Sequence, residues 1–182
     1  MENISDKDIL KNFRDESTRH AAFDSLVISY RKRIYWHIRR MVLNHDDADD
    51  LVQDTFIKIW NSLADFREDS VLFTWIYRIA TNETLNFLRK KKLHNLIPFS
   101  GVEHSLSNSL KDDSYYSADE IQHKFQKALL TLPEKQRLVF NMRHHDELSY
   151  AQISEILGTS EGALKASFHI ALKKVEKILT SG

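Results

Sequence analysis

Residues 70–92, SVLFTWIYRIATNETLNFLRKKK, combine aromatic, amide and basic side chains at a spacing typical of a helix. At about 100° per residue, one side of this helix carries Trp75, Arg78, Asn82, Asn86 and Arg89, with Ile79 and Leu85 among them. Aromatic rings stack on unpaired bases, asparagine reads base edges and arginine pairs with phosphate. The pattern therefore predicts a nucleic-acid surface, whose basic end continues through Lys90, Lys91 and Lys92.

The opposite side of this segment is apolar and is predicted to face a core. It carries Ile76, Tyr77, Ala80, Thr84, Phe87 and Leu88. Taken alone, Trp75 is also compatible with core packing. The pair Asn82 and Asn86, one turn apart beside arginines, indicates a function instead.

A second motif spans residues 148–179 and predicts a helix-turn-helix. A first helix from about Ser149 to Leu157 buries Ile153, Ile156 and Leu157, and Gly158 ends it. Ser160 caps a longer helix, whose core stripe is Leu164, Phe168, Ala171, Leu172 and Val175. This order places a second helix in the DNA major groove. The alternative is an ordinary pair of antiparallel helices without DNA binding.

The outward face of that second helix is small and nearly uncharged at first and basic towards its end. It carries Gly162, Ala163, Ala166, Ser167, His169, Ile170, Lys173, Lys174 and Lys177. Alanine or isoleucine can touch a thymine methyl, and lysine binds phosphate, which positions a protein without specifying sequence. The face has no arginine for a paired guanine contact, so we expect this helix to bind DNA weakly by itself.

Acidic residues crowd the start of another predicted helix. They are Asp46, Asp47, Asp49, Asp50 and Asp54, and the outward face also carries Leu51 and Ile57. The carboxylates favour the helix dipole, and the mixture with apolar residues is typical of a protein-docking surface. An alternative is a metal-dependent hydrolase that uses Asp46, Asp47, Asp49 and Asp50 with His45. A metal site at His144, His145, Asp146 and Glu147 is disfavoured, because adjacent helical residues point in different directions.

Composition limits the class of protein. The 182 residues include two prolines, four glycines and no cysteine, which favours long helices and excludes disulfides and thiol chemistry. The formal net charge is zero, which disfavours unaided DNA binding and suits a protein that meets DNA within a larger complex. No run is apolar enough for a signal peptide or a membrane span, so we expect a cytoplasmic protein without membrane insertion.

The predicted fold is all-α, with two small helical domains joined by a flexible linker and a helix-turn-helix in the C-terminal one. We predict a first domain over residues 1–94, with helical periodicity from Thr18, a linker over 95–117 and a second domain over 118–182. Ser117 and Glu120 form a predicted capping box. Beyond it, Ile121, Phe125, Ala128 and Leu129 share a face, and Pro133 lies in the first turn of the next helix.

Together these stretches resemble the extracytoplasmic-function (ECF) sigma factors of bacteria, over nearly the whole chain from about His20. Residues 47–60, DADDLVQDTFIKIW, are similar to the family's region that docks on the clamp helices of the RNA polymerase β′ subunit. The resemblance assigns this contact to Asp50, Leu51, Asp54, Ile57 and Lys58.

Residues 66–82, FREDSVLFTWIYRIATN, match the family's F-R-x-x-S loop and T-W-[LI]-Y-R-I-A-x-N helix. The family uses them to unpair the −10 element and hold a flipped base. The resemblance implies a base-capturing loop at 66–70. The −10 contacts it implies are Phe66, Arg67, Ser70, Trp75, Arg78, Asn82, Asn86, Arg89 and Lys90.

The C-terminal block is similar to the region that reads the −35 element and touches the polymerase β flap. The residues this implies are Ser160, Lys165, Ala166, Ser167, His169, Ile170 and Lys173. Many members carry three arginines in the pattern V-K-S-R-L-H-R-A-R, whereas residues 164–172 here read LKASFHIAL. We therefore hypothesise that promoter choice depends on the −10 contacts, or on a further protein that delivers the factor to DNA.

The resemblance implies a binding protein that is not an enzyme and uses neither cofactor nor metal. Its implied partners are core RNA polymerase, promoter DNA and an anti-sigma factor or another regulatory or recruiting protein. The alternative from the residues alone is a helix-turn-helix regulator that binds duplex DNA without polymerase. That alternative leaves the stripe from Trp75 to Arg89 unexplained.

Overall fold

Four α-helices form the N-terminal domain in a computed structural model of the chain, which describes residues 5–94 and 120–180. They are α1 (Asp6–Arg14), α2 (Arg19–Val42), α3 (His45–Ser62) and α4 (Leu72–His94), with a 3₁₀ turn at Leu63–Asp65. α2 packs against α1, α3 and α4, so it forms the centre of the domain.

Local sequence signals explain where these helices begin and end. Ser5 caps α1 by accepting a hydrogen bond from the Asp8 amide at 3.2 Å, and Asn44 caps α3 through the Asp47 amide at 2.8 Å. Leu43 ends α2 in a left-handed conformation (φ 61°), with its side chain buried. Burial of this leucine offsets the strain of a left-handed branched residue.

The helix α1 precedes the predicted start of periodicity at Thr18. Its Ile9, Leu10 and Phe13 are buried, and Phe13 packs edge-on against Trp60 with ring centroids 5.3 Å apart. A capping serine followed by apolar residues four, five and eight positions later is a helix signal that the sequence analysis missed.

Four further helices form the C-terminal domain within residues 120–180. They are α5 (Glu120–Leu130), α6 (Glu134–His144), α7 (Tyr150–Leu157) and α8 (Glu161–Thr180). α8 packs on α5, α6 and α7. The predicted boundary at Gly158 is confirmed, because this glycine adopts φ 63° and ends α7. Ser149 caps α7 in a capping box with Gln152.

Two residues of this domain differ from their predicted positions. Ile121, predicted to share a face of α5 with Phe125, Ala128 and Leu129, is 77% exposed, because α5 meets α8 mainly through Ala128 and Leu129, near its end. Pro133 occupies the cap position before α6 instead of its first turn. The predicted box at Ser117 and the segment 95–117 lie outside the described residues.

The two domains pack against each other in this structure. α4 lies against α7, and α2 lies against α6. Leu138, Met142, Leu148 and Ile153 belong to the same buried apolar cluster as Ile34, Ile38, Tyr77 and other core residues of the N-terminal domain. The predicted all-α class is confirmed, since every regular element in the described ranges is helical. No helix in those ranges is long and apolar enough to cross a membrane.

Candidate nucleic-acid interface

The predicted two-sided character of α4 holds in the structure. Ile76, Tyr77, Ala80 and Leu88 are buried, as expected for the core side. On the other side Asn82, Asn86, Arg89 and Lys90 are exposed. The Arg89 guanidinium donates to the Asn86 amide oxygen at 3.1 Å, which orients the amide at the surface. The amide group of Asn82 lies one helical turn earlier and faces solvent.

An aromatic stack supports the start of α4. Phe66 is 7% exposed, and its ring lies 4.9 Å from the ring of half-buried Trp75 at 42°. Trp75 therefore packs on the core with part of its surface and presents the rest to solvent. The predicted core packing of Trp75 and its predicted exposure on the outer face are therefore each correct for part of the side chain.

The loop between Phe66 and α4 is exposed, and a side chain of α1 holds it by a hydrogen bond. Arg67 and Val71 point to solvent, Ser70 is half-buried, and Glu68 adopts a left-handed φ of 60°. Arg14, at the end of α1, donates to the Glu68 carboxylate at 2.6 Å. Sequence reasoning missed this partner, because the contact joins residues 54 positions apart.

The side chains of Arg78 and of Thr74, one turn earlier, form hydrogen bonds with the C-terminal domain. The Arg78 guanidinium donates to the Glu155 carbonyl oxygen at 2.6 Å. The Thr74 hydroxyl donates to the Glu155 carboxylate at 2.8 Å. The side of α4 that was predicted to bind nucleic acid is therefore divided. Its first two turns face α7, and its later turns are open.

The outward face of α8 is accessible but chemically modest. Lys165, Ala166, His169, Ile170 and Lys173 are exposed, Ser167 is half-buried, and Ser160 caps the helix through the Ala163 amide at 3.4 Å. Lys165 is paired with Glu161 at 3.4 Å and lies 5.5 Å from the Tyr150 ring centroid. The lysine charge is thus partly neutralised, which weakens its attraction for phosphate.

The surface of α3 differs from its prediction at one position. Asp50, Asp54, Ile57 and Lys58 are exposed, with Ile57 60% exposed. Leu51, predicted on the outward face, is instead 6% exposed and packs in the core beside Val52. Leu51 lies inside α3, and packing against the neighbouring helices places it in the core because burial of an apolar side chain is favourable.

Other acidic residues of α3 and of the loop after α6 form ion pairs within the chain. Asp47 pairs with Lys91 of α4 at 2.6 Å, and His45 lies 3.4 Å from Asp49. Asp146 accepts hydrogen bonds from His37 and Arg40. Residues 5–94 and 120–180 contain no group of three or more acidic or histidine side chains placed to hold a metal ion.

The comparisons with known proteins agree with this geometry. The family profile described as Sigma-70 region 2 matches residues 26–94, and that described as Sigma-70, region 4 matches residues 122–175. The ECF RNA polymerase sigma factor SigW of Bacillus subtilis is 33% identical over 167 residues, covering 87% of this chain and 89% of SigW. The RNA polymerase sigma-H factor of Pseudomonas aeruginosa is 30% identical over 168 residues, covering 87% of this chain and 86% of that protein.

Two solved structures share the fold. CnrH, in complex with the cytosolic domain of CnrY, matches with a TM-score of 0.69 and 22% identity, covering 97% of each chain. The sigma factor RpoE, in complex with the anti-sigma factor NepR from Bartonella quintana, matches with a TM-score of 0.67 and 23% identity. That match covers 87% of this chain and 96% of RpoE.

The chain matches two family profiles in the expected order, and relatives of 30% identity or more match it over 87% of its length, which leaves one assignment. The chain belongs to the sigma-70 family as an ECF sigma factor, a non-enzymatic initiation factor that binds core RNA polymerase and directs it to promoters.

Proposed function

We propose a division of work between the two domains of this sigma factor. Residues 1–94 bind the polymerase clamp and open the −10 element, residues 95–117 connect the domains, and residues 118–182 approach the −35 element and the β flap. The observation that carries this proposal is the open half of α4. Exposed Asn82 and Asn86 there lie on a helix whose other side is fixed in the core.

A rigid helix suits the −10 contacts because base reading requires side chains held in place. Amide groups form paired hydrogen bonds with base edges, and an exposed aromatic surface stacks on a base that has left the duplex. Unstacking a base costs a few kcal/mol. Contacts from Asn82, Asn86 and the free edge of Trp75 can offset that cost in the opened state.

The loop of residues 66–70 is the proposed site of base capture. Buried Phe66 gives it a fixed support beneath Trp75, whereas Arg67 and Ser70 are available to the strand. Arg89 and Lys90 extend the path with positive charge, which positions the phosphate backbone.

The polymerase contact is proposed for the exposed part of α3. Exposed Ile57 is an apolar side chain surrounded by the charged side chains of Asp50, Asp54 and Lys58. Lys58 also pairs with Glu83 on α4, the residue that follows Asn82. This ion pair couples the polymerase-facing helix to the base-reading helix.

We infer a weak −35 contact for α8. Ser160 and the small face formed by Ala166 and Ser167 allow close approach, whereas Lys165, His169, Ile170 and Lys173 offer phosphate and methyl contacts. Without arginine on this helix, specificity depends mainly on α4 or on a recruiting protein.

A regulatory protein partner is also proposed. Two proteins of this fold were solved with proteins bound to them, CnrH with CnrY and RpoE with the anti-sigma factor NepR. An anti-sigma factor or a recruiting protein is therefore the partner class to seek. We place the chain in the cytoplasm, where polymerase and DNA are found.

The test is in vitro transcription with core polymerase on genomic DNA, with transcript starts mapped. New starts that depend on this protein, aligned on a shared −10 sequence, support the proposal. A protein that binds core without producing starts points to a recruiting partner. A protein that binds duplex DNA and ignores core contradicts the proposal and favours a polymerase-independent regulator.

A further inference from the structure

The loop of residues 66–70, where base capture is proposed, has fixed ends and a weakly held middle. At its start the Phe66 amide donates to the Leu63 carbonyl oxygen at 3.2 Å, and the Phe66 side chain is buried. At its other end the loop runs into α4, whose apolar side is fixed in the core. Within the part of the chain that the structure describes, the hydrogen bond from Arg14 to Glu68 is the one that ties the middle of the loop to another helix.

The backbone of Glu68 adopts a conformation that glutamate rarely takes. Its φ of 60° lies in the left-handed region, where a residue with a side chain is strained and glycine is not. Such a conformation persists where other contacts hold it. The Arg14 guanidinium supplies a contact of this kind, since it donates to the Glu68 carboxylate at 2.6 Å. The ion pair therefore acts on the local conformation of the loop.

The end of α1 that carries Arg14 is itself fixed on the domain. The Arg19 guanidinium donates to the Phe13 carbonyl oxygen at 3.0 Å, which satisfies one of the carbonyl groups that a helix end leaves without a partner. The Phe13 ring is buried and lies 5.3 Å from the ring of Trp60, near the end of α3. Because the 3₁₀ turn and the loop follow α3 directly, Arg14 reaches the loop from a fixed support.

Exposure limits what this ion pair contributes to folding. The side chains of Arg14 and Glu68 are 58% and 46% exposed, so the pair adds little to the free energy of unfolding. A weak contact can still select one conformation of a loop that has few other contacts, because the competing conformations differ little in free energy. The pair also neutralises a carboxylate on a surface that DNA phosphates approach.

We propose that α1 takes part in promoter reading, with Arg14 as a positioning residue that holds Glu68 and the loop of residues 66–70 in the conformation that receives the flipped base. Arg14 acts through Glu68, 54 positions later in the chain, and touches no base itself. The inference rests on the proposed role of this loop in base capture, and it extends the −10 surface to a helix outside α4.

The first measurement is base preference in transcription by holoenzyme. Templates that vary one base at a time within the mapped −10 element give the ratio of transcript from the preferred base to transcript from the other bases. Arg14→Ala should lower this ratio by roughly two- to fivefold, the range that an exposed ion pair supports. Glu68→Gln should lower it as well, although loss of the negative charge should raise binding to every template. A change in folding or in net charge alters all templates alike and leaves the ratio unchanged.

Two further variants sharpen this test. Arg14→Glu combined with Glu68→Arg reverses the ion pair, so the ratio should return to near the wild-type value. Lys11→Ala removes an exposed positive charge from the preceding turn of α1 and should leave the ratio unchanged.

The second measurement is the mobility of the loop in the free, full-length chain. Because the sequence has no cysteine, Asp69→Cys provides one exposed position for a spin label beside Glu68. Arg14→Ala should increase the nanosecond motion of this label, whereas Lys11→Ala should not.

Three results would overturn the role of Arg14. They are an unchanged base ratio in Arg14→Ala, an unchanged label mobility in Arg14→Ala, and equal changes in Lys11→Ala. Wild-type holoenzyme without new transcript starts would instead contradict the proposed function itself, on which the role of Arg14 in base capture rests.

Discussion

The outward faces of α4 and α8 differ in what they can do with DNA. α4 offers the amides of Asn82 and Asn86 and the guanidinium of Arg89, which are groups that form directed and paired hydrogen bonds. α8 offers small residues and then lysines, which act as point charges. Both helices are anchored by a buried stripe, so the difference lies in exposed chemistry. This difference supports the proposal that the N-terminal domain specifies the promoter sequence and the C-terminal domain positions the factor on DNA.

Removing both amides of α4 should have the largest effect. Each base contact contributes about 1–3 kcal/mol, so Asn82→Ala with Asn86→Ala should lower transcription by holoenzyme on the mapped promoter by roughly 100-fold. The measurement is in vitro transcription at limiting holoenzyme. Asn12→Ala, an exposed amide on α1, is the control. An equal loss in the control, or no loss in the double variant, would contradict the assignment of α4.

Lowering the pH should reduce the stability of the protein through His145 in the C-terminal domain. Burial, with help from Arg40 and His144, lowers the pKa of His145 to about 4. Since the unfolded histidine binds a proton near pH 6.5, the unfolded state gains protons first as pH falls. The free energy of unfolding should therefore decline between about pH 6.5 and pH 4, by roughly 2 kcal/mol after allowing for partial exposure.

Urea titrations at pH 7.5 and pH 5 measure this decline. His145→Gln should show a smaller loss of stability between the two pH values. His169→Gln, at an exposed position of α8, should behave like the wild type. Identical pH dependence in all three proteins would show that His145 does not carry the effect.

Arginine side chains on α8, which can donate two hydrogen bonds to one base, should reduce the difference between α8 and α4 in sequence reading. Ser167→Arg with Ile170→Arg should raise affinity for an upstream element by roughly tenfold, within the range of one good paired contact. A gel shift with holoenzyme on promoter fragments with and without the upstream element measures it. Lysine at the same two positions is the matched control, because it adds equal charge without the planar fork. An unchanged shift would contradict the proposed cause of weak reading.

The smallest effect is expected at the lysines of α8. Lys173→Ala should weaken holoenzyme binding about threefold on all promoters alike and reduce the salt dependence by about one ion. Binding measured over a salt series checks this, with exposed Lys7→Ala of α1 as the control. A loss confined to one promoter sequence would show that Lys173 reads bases instead.

Much of the local structure followed from the sequence. The two sides of α4, the αL glycine at Gly158 and the cap at Ser160 were predicted correctly, because caps and helical periodicity depend on residues within one or two turns. Leu51 was placed on the wrong face, and Ile121 is exposed although it was grouped on one face with buried Ala128 and Leu129. Ile121 lies at the start of α5 and Leu51 lies within α3, and at both positions the packing of the neighbouring helices decides exposure.

The sequence by itself determined the helices, their order and the chemistry of the faces of α4 and α8, since these depend on residue type and spacing along one chain. Tertiary structure decided which groups are free. Asp146 and His37 are 109 positions apart, and Arg78 and Glu155 are 77 apart. No local pattern announces such pairs, because the free energy of burying a charge depends on a partner that the chain supplies only after folding.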